Sequence, residues 1–150
     1  MTIAIRAAVL ADLEALRGVF RRASLSNSGD RGHLLANPEH LVLSDTGIAE
    51  GRTRVAVDPE AGIVGFASWL VSGDAIEMED LFVDPDWMRR GIGRKLVTAI
   101  VVIAREQGFD RLEVTANPHA QSFYESTGFT TDYEVQTAFY PGQRMHTSLD

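Results

Sequence analysis

The apolar positions of the chain follow two periods, and these predict strands interleaved with helices. Apolar residues recur at helical spacing across residues 11–23 and again across 92–107, where Gly108 follows as a typical C-terminal signal. Shorter alternating or continuous apolar runs predict strands. The predicted strands are 3–6, 52–58, 62–71, 75–83 and 110–116, with two more in the tail around a Pro-Gly turn.

The order of these elements predicts an α/β fold with a mixed sheet. The link Pro-Glu-Ala-Gly after residue 58 indicates an antiparallel hairpin. Helix 92–107 connects strands 75–83 and 110–116, and such a crossover makes its two strands parallel.

Shorter helices complete the predicted elements. Asn117 precedes one at 118–127, and Asp12 can cap the first long helix. The polar stretch that follows the first helix predicts a loop with short helices around 30–36 and 38–43.

Composition narrows the class of protein. With 150 residues, of which 45% are hydrophobic, the chain has the size of one domain, and we expect a single domain over 1–150. The absence of cysteine excludes disulfides and thiolate metal sites and fits a cytoplasmic protein. The beginning of the chain does not look like a signal peptide, and no run is long enough for a membrane helix. A net charge of −7 argues against nucleic acid as a partner.

One basic segment stands out in this acidic chain. Arg89, Arg90, Arg94 and Lys95 surround a Gly-Ile-Gly sequence between a predicted strand and a predicted helix. Glycines permit a sharp turn, and the first amides of a helix attract anions, so the segment is suited to phosphate. Both the Walker A and the dinucleotide-binding motifs require glycine at the position that Leu96 occupies, so neither nucleotide motif is present.

Two motifs resemble the GNAT superfamily of N-acetyltransferases. "LFVDPDWMRRGIGRKLV" resembles its acyl-CoA motif, and "VTANPHAQSFYESTGF" resembles its second signature, an Asn followed by a short helix with Phe-Tyr. Met88 departs from the family, which prefers Gln or Arg there. The resemblance implies a mostly antiparallel central sheet with one parallel, splayed pair, 75–83 and 110–116, and helices on both faces.

The same resemblance implies acetyl-CoA as co-substrate, with no metal. Backbone amides from Met88 to Arg94 and the arginines would hold its pyrophosphate, the strand edge 81–83 would pair with the pantetheine arm, and Asn117 would hydrogen-bond that arm. Phe123 has the pattern of a core residue and also falls within the implied cofactor site. The implied cofactor residues are Leu81, Phe82, Val83, Met88, Arg89, Arg90, Gly91, Ile92, Gly93, Arg94, Asn117 and Phe123.

Acetyl transfer to an amine needs a base, an oxyanion donor and an acid for the thiolate. Glu77 and Glu79 alternate along one strand and therefore share a face, and either can be the base. The resemblance implies the Val83 amide as oxyanion donor and Tyr124 as the general acid.

The resemblance implies an acetyl-CoA-dependent N-acetyltransferase. We expect a small-molecule primary amine as acceptor, attacking directly in a ternary complex, with the acceptor pocket shaped by residues 21–45 and 130–147. An enzyme for proteins or peptides and a non-catalytic acyl-CoA-binding module are the alternatives. The sequence does not decide the length of the acyl group or the identity of the amine. A homodimer is possible, and neither nucleic acid nor membrane is an expected partner.

Overall fold

The structure, a computed structural model, describes residues 2–26, 32, 34–36, 43–137 and 141–149. Its strands and helices alternate as the sequence predicts. In chain order they are β1 (Ala4–Ala7), α1 (Leu13–Leu25), α2 (Thr46–Ala49), β2 (Thr53–Asp58), β3 (Gly62–Ser72), β4 (Ala75–Val83), α3 (Ile92–Glu106), β5 (Arg111–Ala116), α4 (Gln121–Ser126), β6 (Thr130–Gln136) and β7 (Pro141–Ser148). Short 3-10 helices occupy Leu10–Asp12 and Pro85–Trp87. Within the described ranges, no helix combines the length and the apolar character needed to cross a membrane.

The predicted fold class is confirmed: seven strands form one mixed sheet in the order β1-β2-β3-β4-β5-β7-β6. Among the strand pairs with a described register, only β4 and β5 are parallel. Their ladder consists of Ile76 opposite Leu112 and Glu77 opposite Glu113. It ends there although β4 continues to Val83, so the later part of β4 extends beyond its pairing with β5.

Four local predictions are refined by the structure. Asp12 precedes α1 but makes no side-chain cap to it, and it accepts instead from the Val9 amide at 2.9 Å. Helix α2 was not predicted, because it is a single turn without an amphipathic pattern. The Pro-Gly pair begins β7 and does not form the turn. In the polar stretch, Gly32 and residues 34–36 are helical, Leu43 is not, and the remainder of 27–42 lies outside the described residues.

The described chain divides into two compact units. The first comprises Met1–Ser68 and Asp80–Leu96. Its buried hydrophobic cluster joins α1 to the neighbouring strands, and the Phe20 ring meets the Phe82 ring edge-on at 4.9 Å between centroids. The buried residues of this cluster are Ala8, Leu16, Val19, Leu43, Ile48, Val55 and Phe66. This cluster fixes α1 against the end of β4, which leads into the basic turn.

The second unit comprises Trp69–Glu79 and Val97–Asp150. Its strand β5 alternates between buried Leu112, Val114 and Ala116 and the more accessible residues between them, as a strand with one covered face should. Helix α3 ends in this unit with Gly108 in the left-handed region at φ +83°. The Phe109 amide donates to the Ala104 carbonyl at 3.0 Å, which is the glycine-terminated ending that the sequence predicts.

The contact between Arg6 and Asp12 makes part of the stability depend on pH. The guanidinium donates to both carboxylate oxygens, at 2.8 and 3.1 Å, and these hydrogen bonds lower the pKa of Asp12. A lowered folded-state pKa adds stability above the unfolded value of about 3.9, and this stability is lost as the pH falls through the folded value. We expect Asp12→Asn to reduce the free energy of unfolding by about 0.5–1 kcal/mol at pH 7. Urea titrations at pH 7 and pH 3 test this, because a difference of the same size at both pH values would contradict the electrostatic explanation.

Candidate active site

The turn between β4 and α3 has an unusual backbone. Arg89 has φ +63° and Gly91 has φ +80°, both in the left-handed region. An L-residue pays roughly 1–2 kcal/mol for this conformation, so Arg89 is a strained position of the kind that concentrates at binding sites. A Cβ added to Gly91 would meet no described atom within 4 Å. The requirement for glycine is therefore conformational, and the space beside Gly91 is open.

The turn ends at the amino end of a long helix. The Gly91 carbonyl accepts from the Lys95 amide at 3.1 Å, which closes the first turn of the 15-residue helix α3. Amides at the beginning of a helix have no acceptor within it, and the positive end of the helix dipole lies behind them. The turn and these amides, on the first unit, therefore have the geometry of a candidate anion site.

Basic side chains border this anion site. Arg89, Arg90 and Arg94 are exposed. The Arg90 guanidinium lies 4.5 Å from the centre of the Trp87 ring, in cation–π geometry, and its Nη2 donates to the Asp86 carbonyl at 3.4 Å. Stacking on Trp87 therefore holds one of the three arginines at the turn.

Met88 lies in the same turn and is 56% exposed. Its amide donates to the Pro85 carbonyl at 3.5 Å and is partly engaged within the turn. Its thioether, standing where the family prefers Gln or Arg, brings no strong hydrogen-bond donor.

The backbone at the end of β4 directs Val83 away from β3. The Asp84 amide donates to the Val64 carbonyl at 2.8 Å, and the Phe82 carbonyl lies 3.0 Å from where a Cβ on Gly65 would be. Neighbouring residues of a strand direct their backbone groups to opposite edges, so the Val83 amide points to the edge opposite β3. An amide directed away from β3 does not belong to the pairing of β4 with β3.

The side chains at the end of β4 are partly packed into the protein, in contrast to the Val83 amide. Leu81, Phe82 and Val83 are half-buried. The Phe82 ring lies among Phe20 and Phe66, at 4.9 and 5.6 Å between centroids. Phe82 therefore belongs to the core of the first unit, and what it can offer a ligand comes from its backbone.

Tyr124 occupies a buried position in the second unit. It is 6% exposed, and its hydroxyl lies 3.9 Å from the Met78 sulfur on β4, as a donor to it. The Phe123 and Phe129 rings each lie 5.3 Å from the Tyr124 ring, edge-on. Gly128 has φ +102°, and the Phe129 amide donates to the Tyr124 carbonyl at 3.0 Å. This helix ending, predicted from Gly-Phe, fixes the residue whose hydroxyl reaches β4.

The Glu77 and Glu79 carboxylates of β4 lie on the face opposite Met78. Met78 is buried, Glu77 is half-buried and Glu79 is exposed. A Glu77 oxygen accepts from Arg144 Nη1, and the other terminal nitrogen of Arg144 lies 3.5 Å from Glu113. Burial tends to lower the pKa of Arg144, but the Glu77 hydrogen bond and the charges of Glu77 and Glu113 outweigh it and raise that pKa. Glu77 is thus committed to an ion pair with a permanently charged partner.

Sequence reasoning missed Arg144 as a residue near the chemistry. It lies on β7 opposite Thr115 of β5, to whose hydroxyl it donates at 2.9 Å. The ion pairs continue across the same strands: Arg111 contacts Glu113 at 3.2 Å. It also contacts Asp132 at 3.1 Å, and Asp132 is paired with His146. The sequence does show an arginine on the polar face of a predicted strand. It does not show the strand register that brings this arginine to Glu77.

Asn117 stabilises the turn before α4. Its side-chain oxygen accepts from the Ala120 amide at 2.9 Å, so Asn117 caps the turn 118–120, and the helix itself begins at Gln121. The capping role uses the oxygen and orients the side-chain NH₂ group, which is the part that can donate to a ligand. Among the described residues, no group of three or more His, Cys, Asp or Glu could hold a metal ion.

The comparisons with known proteins identify the family of the chain. The sequence profile of the family described as "Acetyltransferase (GNAT) domain" matches residues 49–131, which include β4, the basic turn and α4. The chain belongs to the GNAT acetyltransferase family. Its profile match extends to Tyr124 and to the carboxylates of β4.

Two curated relatives of this GNAT acetyltransferase are acetyltransferases. It is 29% identical over 112 residues to the glucosamine 6-phosphate N-acetyltransferase of Trypanosoma brucei brucei, covering 65% of this chain and 76% of that protein. It is 32% identical over 109 residues to the mycothiol acetyltransferase of Beutenbergia cavernae, covering 63% of this chain and 37% of that protein. The chain therefore matches well under half of the second relative.

Solved GNAT structures share the fold of this acetyltransferase over almost its whole length. The PaiA N-acetyltransferase of Thermoplasma acidophilum, solved in complex with coenzyme A, has a TM-score of 0.75 at 19% identity and covers 99% of both chains. A GCN5-related N-acetyltransferase of Rhodopseudomonas palustris has a TM-score of 0.78 at 23% identity, over 99% of this chain and 96% of that one. At these identities the likeness shows the fold.

Proposed function

We propose that this GNAT acetyltransferase moves the acetyl group of acetyl-CoA to a primary amine of a small molecule by direct attack in a ternary complex. The observation that carries the proposal is the left-handed turn at Arg89 and Gly91, which opens onto the amino end of α3. The names of the two curated relatives support a small-molecule acceptor, and the coenzyme A complex of the Thermoplasma structure supports the co-substrate.

The residues of the turn fit a diphosphate ligand. The open space beside Gly91, the first amides of α3 and the surrounding arginines together provide hydrogen bonds and positive charge. We assign the pyrophosphate to Gly91–Arg94, with Arg89, Arg90 and Arg94 reaching the phosphate oxygens. The Val83 backbone and the Asn117 side-chain amide are assigned to the pantetheine arm. Acetyl-CoA, when bound, supplies an activated thioester, and we propose no metal.

The catalytic roles follow from the environment of each group. Glu79 takes a proton from the substrate ammonium, directly or through water, and the amine nitrogen then bonds to the acetyl carbon. The Val83 amide donates to the carbonyl oxygen as negative charge develops on it. As the carbon–sulfur bond breaks, Tyr124 gives its proton to the departing thiolate, and the surplus proton that remains on the nitrogen leaves to water as the amide forms. We choose Glu79 as the base because it is the more exposed of the two carboxylates and therefore the more accessible to an incoming amine.

Replacing the two glutamates singly should separate their roles. We expect Glu79→Gln to lower kcat about a hundredfold and to remove the acidic limb of the pH–rate profile, since a general base contributes roughly 10²–10⁴-fold. Glu77→Gln keeps a hydrogen-bond acceptor for Arg144 and should lower kcat less than about tenfold, with the acidic limb intact. Thiol release measured from pH 5 to pH 9 tests this. Loss of the limb in the Glu77 variant would reverse the assignment.

A titration and an amine screen test the proposal itself. Calorimetry with acetyl-CoA, with ATP and NAD as controls, should show selective binding, and thiol release should then identify amines that are acetylated. Acetylation of peptides but not of small amines would favour the protein or peptide alternative. Acetyl-CoA binding without turnover on either class would favour a non-catalytic acyl-CoA-binding module.

A further inference from the structure

We propose that Arg22, on the first helix, is a positioning residue for the pyrophosphate turn and acts through Asp84. This inference rests on the proposed binding of acetyl-CoA. Arg22 and Asp84 are 62 positions apart in the sequence, and both lie in the first unit. Arg22 itself is assigned no contact with the ligand.

Both oxygens of the Asp84 carboxylate have a defined partner. Arg22 Nε and Nη2 donate to Oδ2 at 3.1 and 2.7 Å. The other oxygen, Oδ1, accepts from the Asp86 amide at 3.1 Å, which caps the short helix Pro85–Trp87. Arg22 therefore sets the orientation of the carboxylate that begins the turn.

The backbone of Asp84 is also held at the point where the chain leaves the sheet. Its amide donates to the Val64 carbonyl at 2.8 Å, and its carbonyl accepts from the Trp87 amide at 2.8 Å. Trp87 in turn carries the stacked Arg90 guanidinium. A continuous series of contacts thus links Arg22, through Asp84 and Trp87, to Arg90, one of the arginines that we assign to the phosphates.

A glycine in the middle of α1 makes room for the arginine. A Cβ placed on Gly18, one helical turn before Arg22, would lie 3.0 Å from Arg22 Nη1. Glycine is unfavourable in a helix interior, so its presence here is consistent with a demand for space. Replacing it with alanine would push Arg22 Nη1 aside by a few tenths of an ångström while improving the helix, and so perturb the guanidinium that holds Asp84 through Nε and Nη2.

The exposure of the pair indicates a local role. The Arg22 side chain is 55% exposed and that of Asp84 is 13% exposed. Pairs between two exposed groups contribute little to folding stability, whereas the buried Asp84 carboxylate gives this pair a larger contribution, which urea unfolding of the Arg22 variant measures. Loss of Arg22 should leave the fold intact and allow the Asp84 carboxylate, and the turn that it caps, to adopt other orientations.

The test compares two acyl donors, only one of which carries the pyrophosphate. For Arg22→Gln we expect KM for acetyl-CoA to rise on the order of tenfold, because contacting residues couple by amounts of this size, with kcat changed less than about twofold. The kcat/KM for acetylpantetheine, which lacks the diphosphate, should not change. Arg17→Gln is the matched control, since Arg17 lies on the same helix and pairs only with the exposed Glu14 at 3.1 Å in the described structure; it should behave as wild type.

Two further variants make the inference falsifiable. Asp84→Asn should raise KM for acetyl-CoA as Arg22→Gln does. The double variant should have a KM no higher than that of Asp84→Asn alone, because Arg22 acts only through Asp84. Gly18→Ala should raise KM for acetyl-CoA while raising the melting temperature. Unchanged KM in the Arg22 and Gly18 variants, additive losses in the double variant, or equal losses for both donors would overturn it. Wild-type protein that does not bind acetyl-CoA would instead overturn the proposed function.

Discussion

Gly91→Asp is expected to remove measurable binding of acetyl-CoA while the protein remains folded. The substitution places a carboxylate beside the first amides of α3, where we assign the pyrophosphate, so the two anions compete for one site. A Cβ at Gly91 meets no described atom within 4 Å, and the left-handed φ of +80° costs an L-residue about 1–2 kcal/mol, so the fold should tolerate the substitution at that cost. Loss of about a hundredfold or more in affinity is expected, the scale of several charge-assisted hydrogen bonds at roughly 1.5–3 kcal/mol each.

Asn at the same position is the control for shape and strain. Asn has nearly the volume of Asp, carries no charge and tolerates the left-handed φ of +80° better than most residues. We expect Gly91→Asn to bind acetyl-CoA about tenfold more weakly than wild type, a loss of the size expected from about 1–2 kcal/mol of local strain. Calorimetric titration gives both affinities, and circular dichroism checks the fold. If the Asp variant bound as tightly as wild type, the turn would not be the pyrophosphate site.

Much of the fold could be predicted because its signals are local. Periodicity indicated α1 and α3, and Gly108 and the Gly-Phe pair marked two helix ends that the structure confirms. The parallel pairing of β4 and β5 followed from the helix between them. The helix Thr46–Ala49 and the start of β7 at Pro141 were not predictable in the same way. A single helical turn has no period, and Pro-Gly is equally typical of turns and of the first residues of a strand.

In the candidate site, too, the local features could be predicted and the contacts that depend on strand register could not. The basic turn is contiguous in sequence, so its residues and its preference for an anion were visible, although the left-handed conformation of Arg89 was not. The pairing of Glu77 with Arg144 depends on the register of β5 and β7, and this register has no local signal. For that reason the sequence left Glu77 and Glu79 equivalent as bases, while the structure places Glu77 in an ion pair with Arg144 and leaves Glu79 more exposed.

Tyr124→Phe should lower kcat strongly with little change in the affinity for acetyl-CoA. The phenol is the proposed proton donor to the thiolate, and loss of a general acid costs roughly 10²–10⁴-fold in rate. Phenylalanine keeps the ring, so the edge-on contacts with Phe123 and Phe129 remain. The described hydroxyl contact with Met78 is a 3.9 Å interaction with a weak sulfur acceptor, so its loss should change the unfolding free energy by less than about 1 kcal/mol.

Tyr133→Phe is the comparison for loss of a phenol oxygen, because Tyr133 is 61% exposed on β6. Tyr133 lies opposite Arg144, in the region where we expect the acceptor, so its loss should change KM for the amine more than kcat. Steady-state thiol release, calorimetric titration with acetyl-CoA and urea unfolding of both variants separate chemistry, binding and stability. A loss in kcat accompanied by an equal loss in affinity or by marked destabilisation would assign Tyr124 to packing alone. A large loss of kcat confined to Tyr124→Phe, together with loss of the basic limb of the pH–rate profile, would show that the Tyr124 hydroxyl must be protonated for turnover. This is the behaviour expected of the acid that protonates the departing thiolate.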